Sequence, residues 1–98
     1  MFIAFTLADR ANPAGAPASL GEAPRGFRGR IRALRAEDGS APDELERRLI
    51  EMGFVEGADV ELLHQGPFGR DPIAVRVNGA TIALRRREAR AVLVAPAG

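Results

Sequence analysis

Two periods organise the chain. Apolar side chains recur at every second position in residues 27–34 and again in the runs between 59 and 94, whereas Leu45, Leu49 and Met52 are spaced by four and then three. Period two marks a half-buried strand, and a 3.6-residue period marks a helix with one buried stripe. Gly26 to Leu34 therefore predicts a strand with Phe27, Ile31 and Ala33 on its core face and Arg28, Arg30 and Arg32 on the other. Glu37 to Ser40 reads as a turn. Ser40 can cap a helix that starts near Ala41, with Pro42 tolerated in the first turn and Asp43 three residues on. Glu44, Glu46, Arg47, Arg48 and Glu51 cover its solvated side. Gly53 stands where a left-handed terminal residue is wanted, and Phe54 or Val55 can fold back onto the stripe.

Beyond a turn at Glu56-Gly57, Asp59 to His64 predicts a strand with Val60 and Leu62 inward. Gln65 to Pro72, with two prolines and two glycines, reads as an irregular connection. Ile73–Val77 and Ala80–Leu84 alternate around Asn78-Gly79, the sequence of a type I′ hairpin, whose two turn positions both need positive φ. Arg85 to Ala89 fits one helical turn, and Ala91 to Val94 a closing strand. Five short strands and one short helix predict a mainly β fold, a small closed or nearly closed antiparallel barrel. Residues 10–25 read as a Pro/Gly/Ala-rich loop or linker, because Arg10 to Pro24 offer almost nothing to bury.

With 98 residues, 46% of them hydrophobic, the chain is sized for a single domain over residues 1–98 with one modest core. The formal charge of +1 gives no global pull toward nucleic acid or anionic lipid. Its distribution is uneven: two acids and six arginines in residues 1–35, nine acids and two arginines in 36–66, two acids and six arginines in 67–98. There is no cysteine, which excludes disulfides, thiolate metal sites and cysteine nucleophiles. The apolar start, Met1 to Leu7, lacks the basic flank and the length of a signal peptide, and no run approaches the roughly 20 apolar residues of a membrane span. A cytoplasmic protein without membrane insertion is expected.

No constellation for catalysis emerges, so no enzyme is expected. No glycine-rich loop opens a helix, and no Gly-Lys-Ser/Thr occurs. His64 is the single histidine. It reads as an incidental strand-end residue, with Asp71 and Glu88 as conceivable oxygen partners for a weak divalent-metal contact, but without metal-ligand spacing. No metal site and no cofactor are assigned. Arg85-Arg86-Arg87 with Arg90 reads as a solvated turn in preference to a patch for phosphates or an acidic protein face. Five phenylalanines without Tyr or Trp disfavour nucleic acid. Phe68 lies between Gly66-Pro67 and Gly69, with nothing local to bury it, and is either a partner contact or a cap on the barrel.

Arg48 to Gly57, Val60-Glu-Leu62, Gly66 to Ile73, Val75 to Gly79, Ile82 to Arg86 and Ala89 to Val94 together resemble the FeoA family, the small cytosolic component of bacterial ferrous iron uptake. Upstream, Thr6 to Asp9 and Gly26 to Leu34 resemble the family's opening segment and first strand. The resemblance implies an SH3-like barrel with a helix inserted between its first and second strands. It also implies an accessory role on FeoB, the iron permease that carries a cytosolic GTP-binding domain. The alternative it implies is a metal-responsive regulatory module, like the C-terminal domain of iron-dependent repressors. For partner binding, Phe68 and Arg70 in the loop are the leading residues, with Met52 and Phe54 at the helix end either shaping a neighbouring groove or forming plain core. A homo-oligomer through barrel edges is a third reading.

Overall fold

The computed structural model describes residues 15–35 and 43–97. Within them, strands β1 (Arg28–Leu34), β2 (Asp59–Phe68), β3 (Asp71–Val77), β4 (Ala80–Leu84) and β5 (Val92–Pro96) form one antiparallel sheet in the order β4-β3-β2-β1-β5. Helix α1 (Asp43–Glu51) falls between β1 and β2, and the single-turn helix α2 (Arg86–Ala89) between β4 and β5. A 3-10 turn, Leu20–Glu22, precedes β1.

Alternation fills the inside of the curved sheet. Val60 and Leu62 of β2, Ile73, Val75 and Val77 of β3, and Val92 and Val94 of β5 are buried, as are Ile31 and Leu84. Their β-branched or branched side chains suit a pleated surface packed on one side. On the outer face, Arg28, Glu61, Arg76 and Thr81 lie in register across four strands. Arg76 reaches Glu61 at 3.4 Å and Arg30 reaches Asp59 at 3.3 Å. Such exposed pairs add little stability, but the alternation of sign keeps like charges from facing each other across strands.

Helix α1 ends as its sequence predicts. Gly53 adopts φ 106°, its N–H donates to the carbonyl of Ile50 at 3.0 Å, and the Phe54 N–H donates to the carbonyl of Leu49 at 2.9 Å. This pair of bonds is a Schellman closure, and the two residues at which an apolar contact usually accompanies it, Leu49 and Phe54, are both fully buried in the core cluster. Val55, the other residue expected to fold back, stays exposed. The expected cap at Ser40 and the start near Ala41 lie outside the described residues.

Two expectations change. The stretch Gln65 to Pro72 is not irregular: β2 runs on through Gly66, Pro67 and Phe68, β3 begins at Asp71, and only Gly69 and Arg70 form the turn. Both have positive φ, 68° and 63°, the same hand as Asn78 and Gly79 in the hairpin that was expected. Pro67, which has no N–H to donate, sits where the register shifts between Gln65 and Phe68, a position at which a strand tolerates it. The second change concerns residues 10–24. From Ala18 onward this segment is part of the packed fold: Leu20 and Ala23 enter the core, the Val94 N–H donates to the Ala18 carbonyl at 3.0 Å, and Ser19 bridges Leu93. The outer edge of β5 is thereby covered.

Candidate functional site

The β2–β3 hairpin projects Phe68 into solvent with 86% of its surface exposed. Phe68 pairs with Asp71, so the aromatic ring stands at the last rung before the turn. Behind it the arm is held by Arg86. Its Nε donates to the Arg70 carbonyl at 2.8 Å, and its Nη2 to Gln65 Oε1 at 3.0 Å. Its Nη1 donates to the carbonyls of Gly21 at 3.3 Å and Ala23 at 2.7 Å. The Arg86 backbone N–H donates to Asp71 Oδ1 at 2.9 Å. One planar guanidinium thus joins the hairpin turn, strand β2 and the 3-10 turn, which a point-charge ammonium cannot do. Gly66 contributes as well, because a Cβ there would run into the backbone of Asp71. A shallow cleft of ≈ 370 Å³ opens beside the arm, lined by Asp71, Arg85 and Arg87.

Phe68 and Arg70 therefore share the hairpin tip, but Met52 and Phe54 do not join them. Phe54 is fully buried, so the reading of this side chain as a partner contact gives way to its core role. Met52 is half-buried against the core. The helix end is tied by Asn78 Nδ2 to the Gly53 carbonyl at 3.4 Å, at the far end of β3 from Asp71. At about 3.3 Å per residue the length of β3 puts about 20 Å between the two places, too far for one groove. Arg48, from the same helix, reaches Glu88 at 3.3 Å.

His64 is exposed on β2 opposite Ala74. The acids once paired with it are engaged elsewhere: Asp71 by the Arg86 amide, and Glu88 by the Arg85 amide at 3.0 Å and by Arg48. Among the described residues no three or more His, Asp or Glu side chains gather into a donor set for a metal ion. Arg86 itself was read as part of a solvated run. Three adjacent arginines look alike in a sequence, and only the fold distinguishes the one whose carbonyl acceptors lie up to 65 residues away.

The sequence profile of the FeoA domain matches residues 18–96. The chain belongs to the FeoA domain family. FeoA of Stenotrophomonas maltophilia, solved with zinc and described as a prokaryotic SH3 domain protein and as a candidate ferrous iron transport activating factor, is 35% identical over 80% of this chain and 89% of its own, with a TM-score of 0.68. The FeoA protein of Chlorobium tepidum is 31% identical over 82% of this chain and 70% of its own, also with a TM-score of 0.68. A manganese-dependent transcriptional repressor shares the fold alone, at 18% identity, over 90% of this chain and 48% of its own, with a TM-score of 0.68. No curated protein matches the chain. The SH3-like fold with α1 inserted between β1 and β2 is that of the FeoA family. The FeoA match starts at Ala18, so Thr6 to Asp9, read as the family's opening segment, lie outside both the match and the described residues. Among the described residues no helix is long and apolar enough to cross a membrane.

Proposed function

We propose that this FeoA-family chain is a non-enzymatic cytoplasmic accessory of ferrous iron uptake that docks through its β2–β3 hairpin on the cytosolic GTPase domain of a FeoB-type iron permease. The observation that carries the docking is Phe68. A large aromatic side chain left 86% exposed at the end of β2, beside a braced two-residue turn, contributes nothing to the core, whereas an aromatic anchor entering a partner's pocket contributes strongly to association. The description of the S. maltophilia homologue as a candidate transport activating factor supports the same role.

Calorimetry of the full chain with the isolated GTPase domain of the same organism's ferrous permease, with and without GTP analogue and Fe(II), tests it. Saturable binding that Phe68→Ala weakens by about tenfold or more, with an unchanged melting temperature, is the expected result. Absence of binding in every state, with heat from Fe(II) alone, overturns it in favour of a metal-responsive module.

A further inference from the structure

The charges around Phe68 specify more than an apolar contact. Arg70 lies in the turn of the arm, Arg86 braces it, and Arg85 and Arg87 line the cleft beside it with Asp71; Glu88 follows them in α2. The Arg86 guanidinium is occupied by its four acceptors. Asp71 accepts from the Arg86 amide, and Glu88 accepts from the Arg85 amide and from Arg48. Each acid already accepts a hydrogen bond from its own chain, while Arg70, Arg85 and Arg87 are exposed; Arg85 and Arg87 line the ≈ 370 Å³ cleft together with Asp71, the cross-strand partner of Phe68, so two cations stand there against one carboxylate.

From this arrangement we infer that the hairpin receives an acidic protein segment, with a carboxylate seated between Arg85 and Arg87 and a neighbouring apolar side chain covering Phe68. The inference rests on the docking reading above and names the chemistry of the surface docked on. Planar guanidinium groups match a carboxylate bidentately, and arginine with an aromatic is the usual composition of an interface centre. A single-stranded nucleic acid fits less well. Its bases need successive aromatic platforms, and Phe68 is the one exposed aromatic among the described residues, while α1 presents Glu44 and Glu51 to a long polyanion.

The experiment is a chemical-shift titration of the full chain with three probes: the permease GTPase domain, a decapeptide of glutamates with a central leucine, and a ten-nucleotide single-stranded DNA. Arg87→Glu and Arg85→Glu are run beside the parent at low and high salt. Expected are peptide and GTPase-domain shifts centred on Phe68, Arg85 and Arg87, weakened about tenfold by Arg87→Glu at low salt, with the difference shrinking as salt rises. Should the GTPase domain bind equally well to parent and Arg87→Glu, the acidic-segment inference falls while docking stands. If the peptide alone binds, docking on the permease falls and the acidic surface stands. No shift with either, or shifts with DNA only, overturns the inference.

Discussion

Arg86 and Ala23, 63 residues apart in the chain, are joined by a 2.7 Å hydrogen bond from the guanidinium Nη1 to the backbone carbonyl. The same side chain holds the Arg70 carbonyl at 2.8 Å. The residue that braces the exposed hairpin is therefore also the residue that anchors the 3-10 turn before β1.

Replacing Arg86 with alanine is expected to cost about 2 kcal/mol, since charge-assisted hydrogen bonds contribute about 1.5–3 kcal/mol and this site is partly exposed. For a domain of this size that lowers the melting temperature by about 10 °C. Arg86→Lys should recover little of it, because a single ammonium cannot span acceptors on three segments. Thermal denaturation of the two variants decides the matter, and a lysine variant as stable as the parent would show that charge alone suffices.

Leu20 is fully buried within a stretch of alanine, proline and glycine. Leu20→Ala should destabilise the protein by about 2–5 kcal/mol, the range for truncating a core leucine. Urea unfolding followed by circular dichroism measures it; a shift of less than about 0.5 kcal/mol, typical of a surface site, would return the segment to the status of a linker.

Arg70 combines a strained backbone with an exposed charge, at φ 63°. Arg70→Gly relieves the left-handed strain, adds unfolded-chain entropy, and keeps the carbonyl that Arg86 binds, so stability should stay within about 1 kcal/mol of the parent. Affinity for the GTPase domain should nevertheless fall as one cation leaves the tip. Equal affinity would assign Arg70 to the turn alone.

His64 separates docking from metal response. His64→Ala should leave binding of the GTPase domain within about twofold of the parent, as for a surface residue outside the interface. A variant that loses Fe(II)-dependent heat together with partner binding would point to the regulatory module instead.

Much of the barrel was readable in advance where local signals agree. Asn78-Gly79 between two alternating runs announced its hairpin, and Leu45, Leu49, Met52 and Gly53 announced the helix stripe and its closure. The β2–β3 hairpin was hidden because Pro67 and Pro72 read as breakers, although one falls at a register shift and the other inside an extended strand. Gly69-Arg70 carried the turn signal, weakened by an arginine where asparagine or glycine is usual. Leu20 was missed because a lone apolar residue has no period. Its burial depends on Arg86 and on the edge of β5, both far along the chain. At the candidate site, Phe68 and Arg70 were legible as an apolar and a charged residue in a Gly/Pro-rich stretch. The separation of Met52 and Phe54 from them was not, because only the register of β3 places the two turns at opposite ends of one strand.

Phe68 has a further consequence through its isolation from the core. Because the Phe68 side chain contributes nothing inside the barrel, while positions 69 and 70 are held only to residues that accept a positive φ, position 68 can diverge without disturbing the scaffold. The exposed tip and the core are thus written in separate parts of the chain. A library that varies Phe68, with glycine kept at 69 and residues tolerant of positive φ at 70, would change the exposed tip on an otherwise unchanged sequence.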